Sequence, residues 1–196
     1  MEILKVKPNN LSKIAKKAIK LIREGKVLVC PTDTVYGLVC DATNKKAVEK
    51  LFKIKKRSLT KPVPIFVKDL KMAKKLVHID KKQEKFLKKV WPGKITAVLK
   101  RKKDSKLYGL DKKTIGLRIP KYKLILELLK KTNKPLTGTS ANIAGKPPST
   151  RIKEVLRQLE IQRHQPDLII GVGNLPKSRP SKVVDLTIHP YQTLRH

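Results

Sequence analysis

The chain has 196 residues, enough for one sizeable core, and 39% are hydrophobic, which argues for a folded globule over a disordered tail. Lys and Arg number 48 against 15 Asp and Glu, a formal net charge of +33. The balanced Lys–Glu networks of a heat-adapted surface do not account for that excess, which favours a polyanionic ligand, RNA first among them.

In chain order, Asn10 can cap a helix whose apolar residues Leu11, Ile14, Ala15, Ala18, Leu21 and Ile22 recur at helical spacing, with Gly25 ending it. Val27 to Cys30 reads as a buried strand closed by Pro31. A second helix starts near Asn44 and runs into Lys55-Lys56-Arg57. A short strand at Ile65-Phe66-Val67 follows. Asp80 caps a helix that ends at Pro92-Gly93. Ile95 to Leu99 and Thr114 to Ile119 read as strands, Lys123 to Lys131 as a helix, and Leu136 to Ser140 as a strand turning into a loop. Thr150 caps a helix through Leu159, and Leu168–Ile170 and Val183–Leu186 are late strands. The expected fold is a single α/β domain over 1–196, a twisted mixed β-sheet with flanking helices. Residues 101–113 and 173–182 are the most loop-like.

No run reaches the roughly 18 apolar residues that a membrane span needs, and MEILKVKPNN lacks a signal-peptide core. The expectation is a cytoplasmic protein. Cys30 and Cys40 lie in apolar runs and read as small buried hydrophobes. The histidines, His78, His164, His189 and His196, make no ligand spacing, so no structural metal is expected. No RNP aromatic pair, KH loop or zinc finger is present, so RNA contact would go through backbone or shape.

Function is concentrated where the cations stop. No Lys or Arg falls between Val27 and Asn44, the stretch holding P-T-D-T-V-Y-G-L, nor between Pro135 and Gly145, which holds T-G-T-S-A-N-I-A-G. Both follow strands, so their hydroxyls and amides fall at strand ends where α/β sheets hold small polar ligands, or else are used in turns. Between them K-I-K-K-R-S-L-T-K-P, residues 53–62, has the opposite character. It suits a helix C-terminus, and equally a phosphate clamp. No Walker loop is present, so a nucleotide would be held without one.

These motifs, with W-P-G at 91–93, T-I-G-L-R-I-P at 114–120, S-A-N-I-A-G-K-P-P-S at 140–149 and S-K-V-V-D-L at 181–186, resemble the YrdC-like threonylcarbamoyl-AMP synthases in one consistent order along the chain. The resemblance implies an α/β fold with a basic concave surface. It implies an enzyme that makes threonylcarbamoyl-adenylate and pyrophosphate from L-threonine, bicarbonate and ATP, with Mg²⁺ bridging the ATP phosphates. Partner proteins would then move the threonylcarbamoyl group to adenosine 37 of tRNAs.

By the same resemblance Thr34 contacts threonine, Thr32 and Tyr36 shape its pocket, and Arg118 pairs with its carboxylate. Ser181 and Phe66 fall at threonine-side positions, although relatives have a Ser-Thr pair at 181–182 and some a histidine at 66. Lys55 and Arg57 are the catalytic cations of K-x-R. Arg57, Lys61, Thr114, Gly138, Ser140, Asn142, Pro148 and Arg195 match nucleotide contacts, Pro148 standing where some relatives have serine. Two other readings stay open. One is a non-catalytic RNA-binding module. The other is a carbamoyl-transfer enzyme, whose extra Cys-rich modules this chain lacks.

Overall fold

The computed structural model describes every residue except Met1, Pro8, Leu110, Lys112 and His196. The ends of the 1–196 span and two positions of the 101–113 segment therefore lie outside the described residues.

The first sheet is built around β2 (Leu28–Cys30), β3 (Gly37–Val39), β8 (Thr139–Ser140), β9 (Leu168–Gly171) and β1 (Glu2–Lys5), in the order β1-β9-β2-β3-β8. The second holds β4 (Ile65–Phe66), β5 (Ile95–Lys100), β6 (Thr114–Arg118), β7 (Leu136–Thr137), β10 (Lys182–Asp185) and β11 (Gln192–Arg195), in the order β11-β10-β5-β6-β4-β7. Each sheet mixes parallel and antiparallel pairs: β2 is parallel to β9 and antiparallel to β3, and β6 is antiparallel to β5 and parallel to β4. The α/β class and the mixed pairing are as expected, but the strands divide between two sheets.

Helices cover these sheets because the central strands are apolar on both faces. In and beside β2, Val27 and Val29 face one core with α2 (Lys45–Lys55) and α6 (Ile152–Leu159). Leu28 and Cys30 face another with α1 (Leu11–Arg23) and α5 (Lys123–Thr132). A third core joins the second sheet to α3 (Leu70–Leu76) and α4 (Lys81–Val90). Cys30 and Cys40 are fully buried, and burial pushes both thiols up to about 12, so they are inert packing groups.

Of the three expected helix caps one forms: Asp80 makes a capping box with Gln83. Asn44, just before α2, also caps its helix, accepting from Ala47 N. The other two expected caps do not form. The Asn10 side chain turns back to Lys7 N and Lys5 O, and α6 is preceded by Arg151, whose N–H is held by Ser149 rather than by Thr150. Gly25 does close α1, with φ +75°, and a Cβ there would meet Asn44 Nδ2 at 2.6 Å.

The two sheets meet at Gly138. β7 pairs with β4 in the second sheet, and one residue later β8 pairs with β3 in the first. Thr137 ties this corner: its hydroxyl accepts from Cys40 N and donates to Leu38 O. Gly138 N donates to Pro64 O at 2.8 Å. A Cβ at Gly138 would lie 2.5 Å from Cε1 of Phe66, so only glycine lets the backbone pass this close to the ring.

Candidate active site

A cleft of about 350 Å³ opens along the seam. The first sheet contributes Thr32, Thr34, Tyr36 and Gly37; the second contributes Phe66, Thr96, Thr114 and Arg118; the crossing segment contributes Gly138 to Ser140 and Asn142. The end of α2 supplies Lys55 and Arg57, and Ser181 and Arg195 close the far wall. Of the residues expected at the site, Lys61 and Pro148 are not part of this lining. Lys61 is exposed, and its carbonyl is held by Arg57 Nε at 2.9 Å.

One polar network is centred on Arg118. Thr32 donates its single hydroxyl hydrogen to Val35 O at 2.7 Å and accepts from Thr34 N. The Thr34 hydroxyl, 3.1 Å away, must therefore be the donor to Thr32. Thr34 Oγ1 in turn accepts from Arg118 Nη1 at 3.2 Å, which leaves one lone pair for a ligand. Arg118 also donates Nε to Gly93 O at 2.8 Å and Nη2 to Asp33 Oδ1 at 2.6 Å. Its guanidinium stands over the Phe66 ring, 5.8 Å from the centroid. Burial lowers the Arg118 pKa and Asp33 opposes that shift, so the group stays charged. Arg195 clasps Ser181 O through Nε and Nη2, and Ser181 Oγ meets Thr96 Oγ1 at 2.8 Å.

The other network is centred on Lys55, which is 2% exposed. Its ammonium donates to Ser140 O at 2.6 Å, Asn142 O at 2.9 Å and Asn142 Oδ1 at 3.2 Å, so all three hydrogens are engaged. Ser140 Oγ donates to Asn142 Oδ1 at 2.5 Å. The K-x-R and S-x-N motifs are thus one hydrogen-bonded unit. Burial, and then the charge of Arg57, push Lys55 down to about 7. Lys56, between the two motif cations, takes the left-handed conformation at φ +49°. That turn ends α2 and sends Lys55 inward while Arg57 lines the cleft.

Tyr36 lines the cleft with its ring only, because its hydroxyl donates to Gly173 O and accepts from Val172 N. Thr96, Thr139, Gly116 and Pro180 line the cleft without having been expected. The support that Asp33 gives Arg118 from outside the lining was not expected either; the one available signal for it was an acidic residue inside a stretch free of cations. Among the described residues no carboxylate lines the cleft. A Mg²⁺ ion fits such a wall only as part of Mg–ATP, held by phosphate oxygens and water. Among the described residues no three His, Cys, Asp or Glu side chains form a metal cluster, and no helix is long and apolar enough to cross a membrane.

A hydroxyl–guanidinium end and an ammonium–loop end in one cleft, at the junction of two mixed sheets, define an α/β protein with a composite site for polar ligands. The chain belongs to the Sua5/YciO/YrdC family, described as "Telomere recombination", whose model matches residues 20–196. It is similar to a putative threonylcarbamoyl-AMP synthase of Methanocaldococcus jannaschii, 35% identical over 95% of this chain and 86% of that one. Its fold matches Sua5 of P. abyssi complexed with L-threonine, with a TM-score of 0.88 and 32% identity over 100% of this chain and 57% of that one. It matches YciO of E. coli with a TM-score of 0.84 and 27% identity, covering 100% and 94%.

Proposed function

We propose that this chain is a threonylcarbamoyl-AMP synthase, a nucleotidyltransferase acting as one domain over 1–196. The observation that carries the reading is the joining of the Thr34–Arg118 network and the Lys55–Ser140–Asn142 unit in one cleft. Relatives named for this activity, and a related structure that holds L-threonine, support it.

Arg118 takes the threonine carboxylate, and Thr34 accepts from the ammonium or the hydroxyl of the amino acid. A site that hydrogen-bonds a substrate hydroxyl rejects analogues without it. The amine, once its ammonium proton has passed to solvent, attacks carbon dioxide with release of a further proton, or bicarbonate with loss of water, to give a carbamate. A carbamate oxygen then attacks the α-phosphorus of Mg–ATP, the bond to the β-phosphate breaks, and pyrophosphate leaves. Arg57, which lines the cleft, neutralises the phosphates as that charge develops. Lys55 acts from beneath, holding Ser140 to Asn142 in place and adding its charge to the site. No step needs a covalent enzyme intermediate, so positioning and charge carry the rate.

The product serves tRNA modification through transfer proteins, and the net charge of +33 supports direct tRNA contact. Incubation with L-threonine, bicarbonate, ATP and Mg²⁺ should release pyrophosphate in proportion to threonine. Salt-sensitive RNA binding without that release would instead identify a non-catalytic RNA-binding module.

A further inference from the structure

Arg118 is the cation expected to receive the substrate carboxylate, and the way it is held bears on what it can receive. Its side chain is 3% exposed and that of Asp33 9% exposed, so the pair is shielded from water. Both Asp33 oxygens are engaged: Oδ1 accepts from Arg118 Nη2 at 2.6 Å and Oδ2 accepts from Lys121 N at 3.0 Å. One carboxylate therefore links the 31–36 loop, the end of β6 and the turn before α5. Asp33 is not part of the cleft lining, so it acts from behind the guanidinium.

The donor count defines the consequence. Of the five guanidinium hydrogens, one goes from Nε to Gly93 O, one from Nη1 to Thr34 and one from Nη2 to Asp33. One hydrogen remains on each terminal nitrogen, available to a substrate carboxylate. Without Asp33, Nη2 loses its anchor, the plane is free to turn about the Phe66 face, and the Lys121 amide loses its acceptor. The charge matters too. Burial penalises a lone guanidinium, and Arg195 adds a like charge nearby. Beside Asp33 the pair is close to neutral, which suits a zwitterion and gives a polyphosphate no unpaired cation to seek.

We infer that Asp33 is a positioning and specificity residue for amino-acid recognition: it orients Arg118 toward the substrate carboxylate and cancels the charge that would otherwise draw phosphates into the amino-acid end of the cleft. This rests on the reading of the cleft as a threonine and ATP site.

Asp33→Asn tests it, because the amide keeps the shape but can satisfy only one of the two donors that face it. Calorimetric titration of the full chain with L-threonine, with L-threoninamide and with ATP reads the outcome. Asp33→Asn should bind L-threonine at least about tenfold more weakly, with ATP affinity unchanged. The preference for L-threonine over L-threoninamide should shrink, a ratio that a general loss of stability would not move. Inorganic pyrophosphate should begin to compete with threonine. Asp33→Glu, which keeps the charge, should fall between the variant and the wild type, and it serves as the test if the Asn variant does not fold. Wild-type threonine affinity in both variants, or an equal loss for threonine and ATP with the ratio preserved, overturns the inference alone. If the wild-type chain binds no threonine, the functional reading fails and takes this inference with it.

Discussion

Lys55 offers a sharp test because its proton is poised. The amine is buried against three neutral acceptors and lies near Arg57, and it titrates at about 7. Among the described residues no carboxylate forms an ion pair with it, while Lys53, Lys56 and Arg57 flank it on the end of α2. At pH 8 a group with that pKa is about nine-tenths neutral. A triphosphate placed beside the Ser140–Asn142 loop favours the ammonium and raises the pKa. If ATP binding returns the amine to its charged form, each ATP takes up about 0.9 of a proton at pH 8, and only about 0.1 at pH 6, where the amine is already charged. The nucleotide's own phosphates, with a last pKa near 6, are ionised at pH 8 and contribute little. Titration of ATP in buffers of different ionisation heat gives the proton number as the slope of observed enthalpy against buffer enthalpy. Lys55→Met should abolish the pH 8 uptake. Zero uptake in the wild-type chain, or the same uptake in Lys55→Met, would refute the reasoning. The sign for folding follows from the same shift. The folded pKa lies below that of the unfolded lysine, so between about 7 and 10.5 the unfolded chain binds more protons, and the ligand-free protein gains stability as pH rises through that window.

Thr34→Val keeps the shape but removes the oxygen that accepts from Arg118, so threonine binding should weaken about fivefold to tenfold while ATP binding holds; equal losses, read by calorimetry, would contradict the assignment. Gly138→Ala sets a Cβ 2.5 Å from the Phe66 ring, which must move, and the urea midpoint should report a loss of about 1–3 kcal/mol that Phe66→Leu partly restores. Asp167 accepts from Val27 N at 2.9 Å and Lys50 Nζ at 2.7 Å, away from the cleft. Asp167→Ala leaves the buried Val27 amide without that partner and should cost about 1–3 kcal/mol with unchanged ligand binding.

Some of this architecture was legible because its causes are local. Asn44 and Asp80 form their caps with residues three positions away, and the apolar run Val27 to Cys30 announces a strand buried on both faces. The caps that failed lost to competing partners a few residues away. Asn10 is drawn back toward the end of β1, and the chain entering α6 is oriented by Ser149, which bonds both Arg151 and Glu154. Strands β1, β3 and β11 and helix α3 escaped the sequence reading for a related reason. Each is short, and the strands are defined by the partners they pair with rather than by their own residues: β1 by the distant β9, β3 by the adjacent β2 and the distant β8, and β11 by the adjacent β10.

The site divides the same way. The sequence by itself determined which residue types were on offer: hydroxyls at 32–36, cations at 55–61, and a serine–asparagine pair at 140–142, in an order that resembles one enzyme family. Only the tertiary structure decided what these residues do to one another. The stretch from Val27 to Asn44 lacks cations along the chain, yet Arg118 enters it from β6 and pairs with Asp33. Lys55, one residue from a solvent-facing lysine, is turned inward and uses every hydrogen on a loop far along the chain. The physical reason is that donors and acceptors removed from water must be satisfied by whatever the fold brings near, and in this chain the partners come from far along it, Asp33 for Arg118 and the Ser140–Asn142 loop for Lys55.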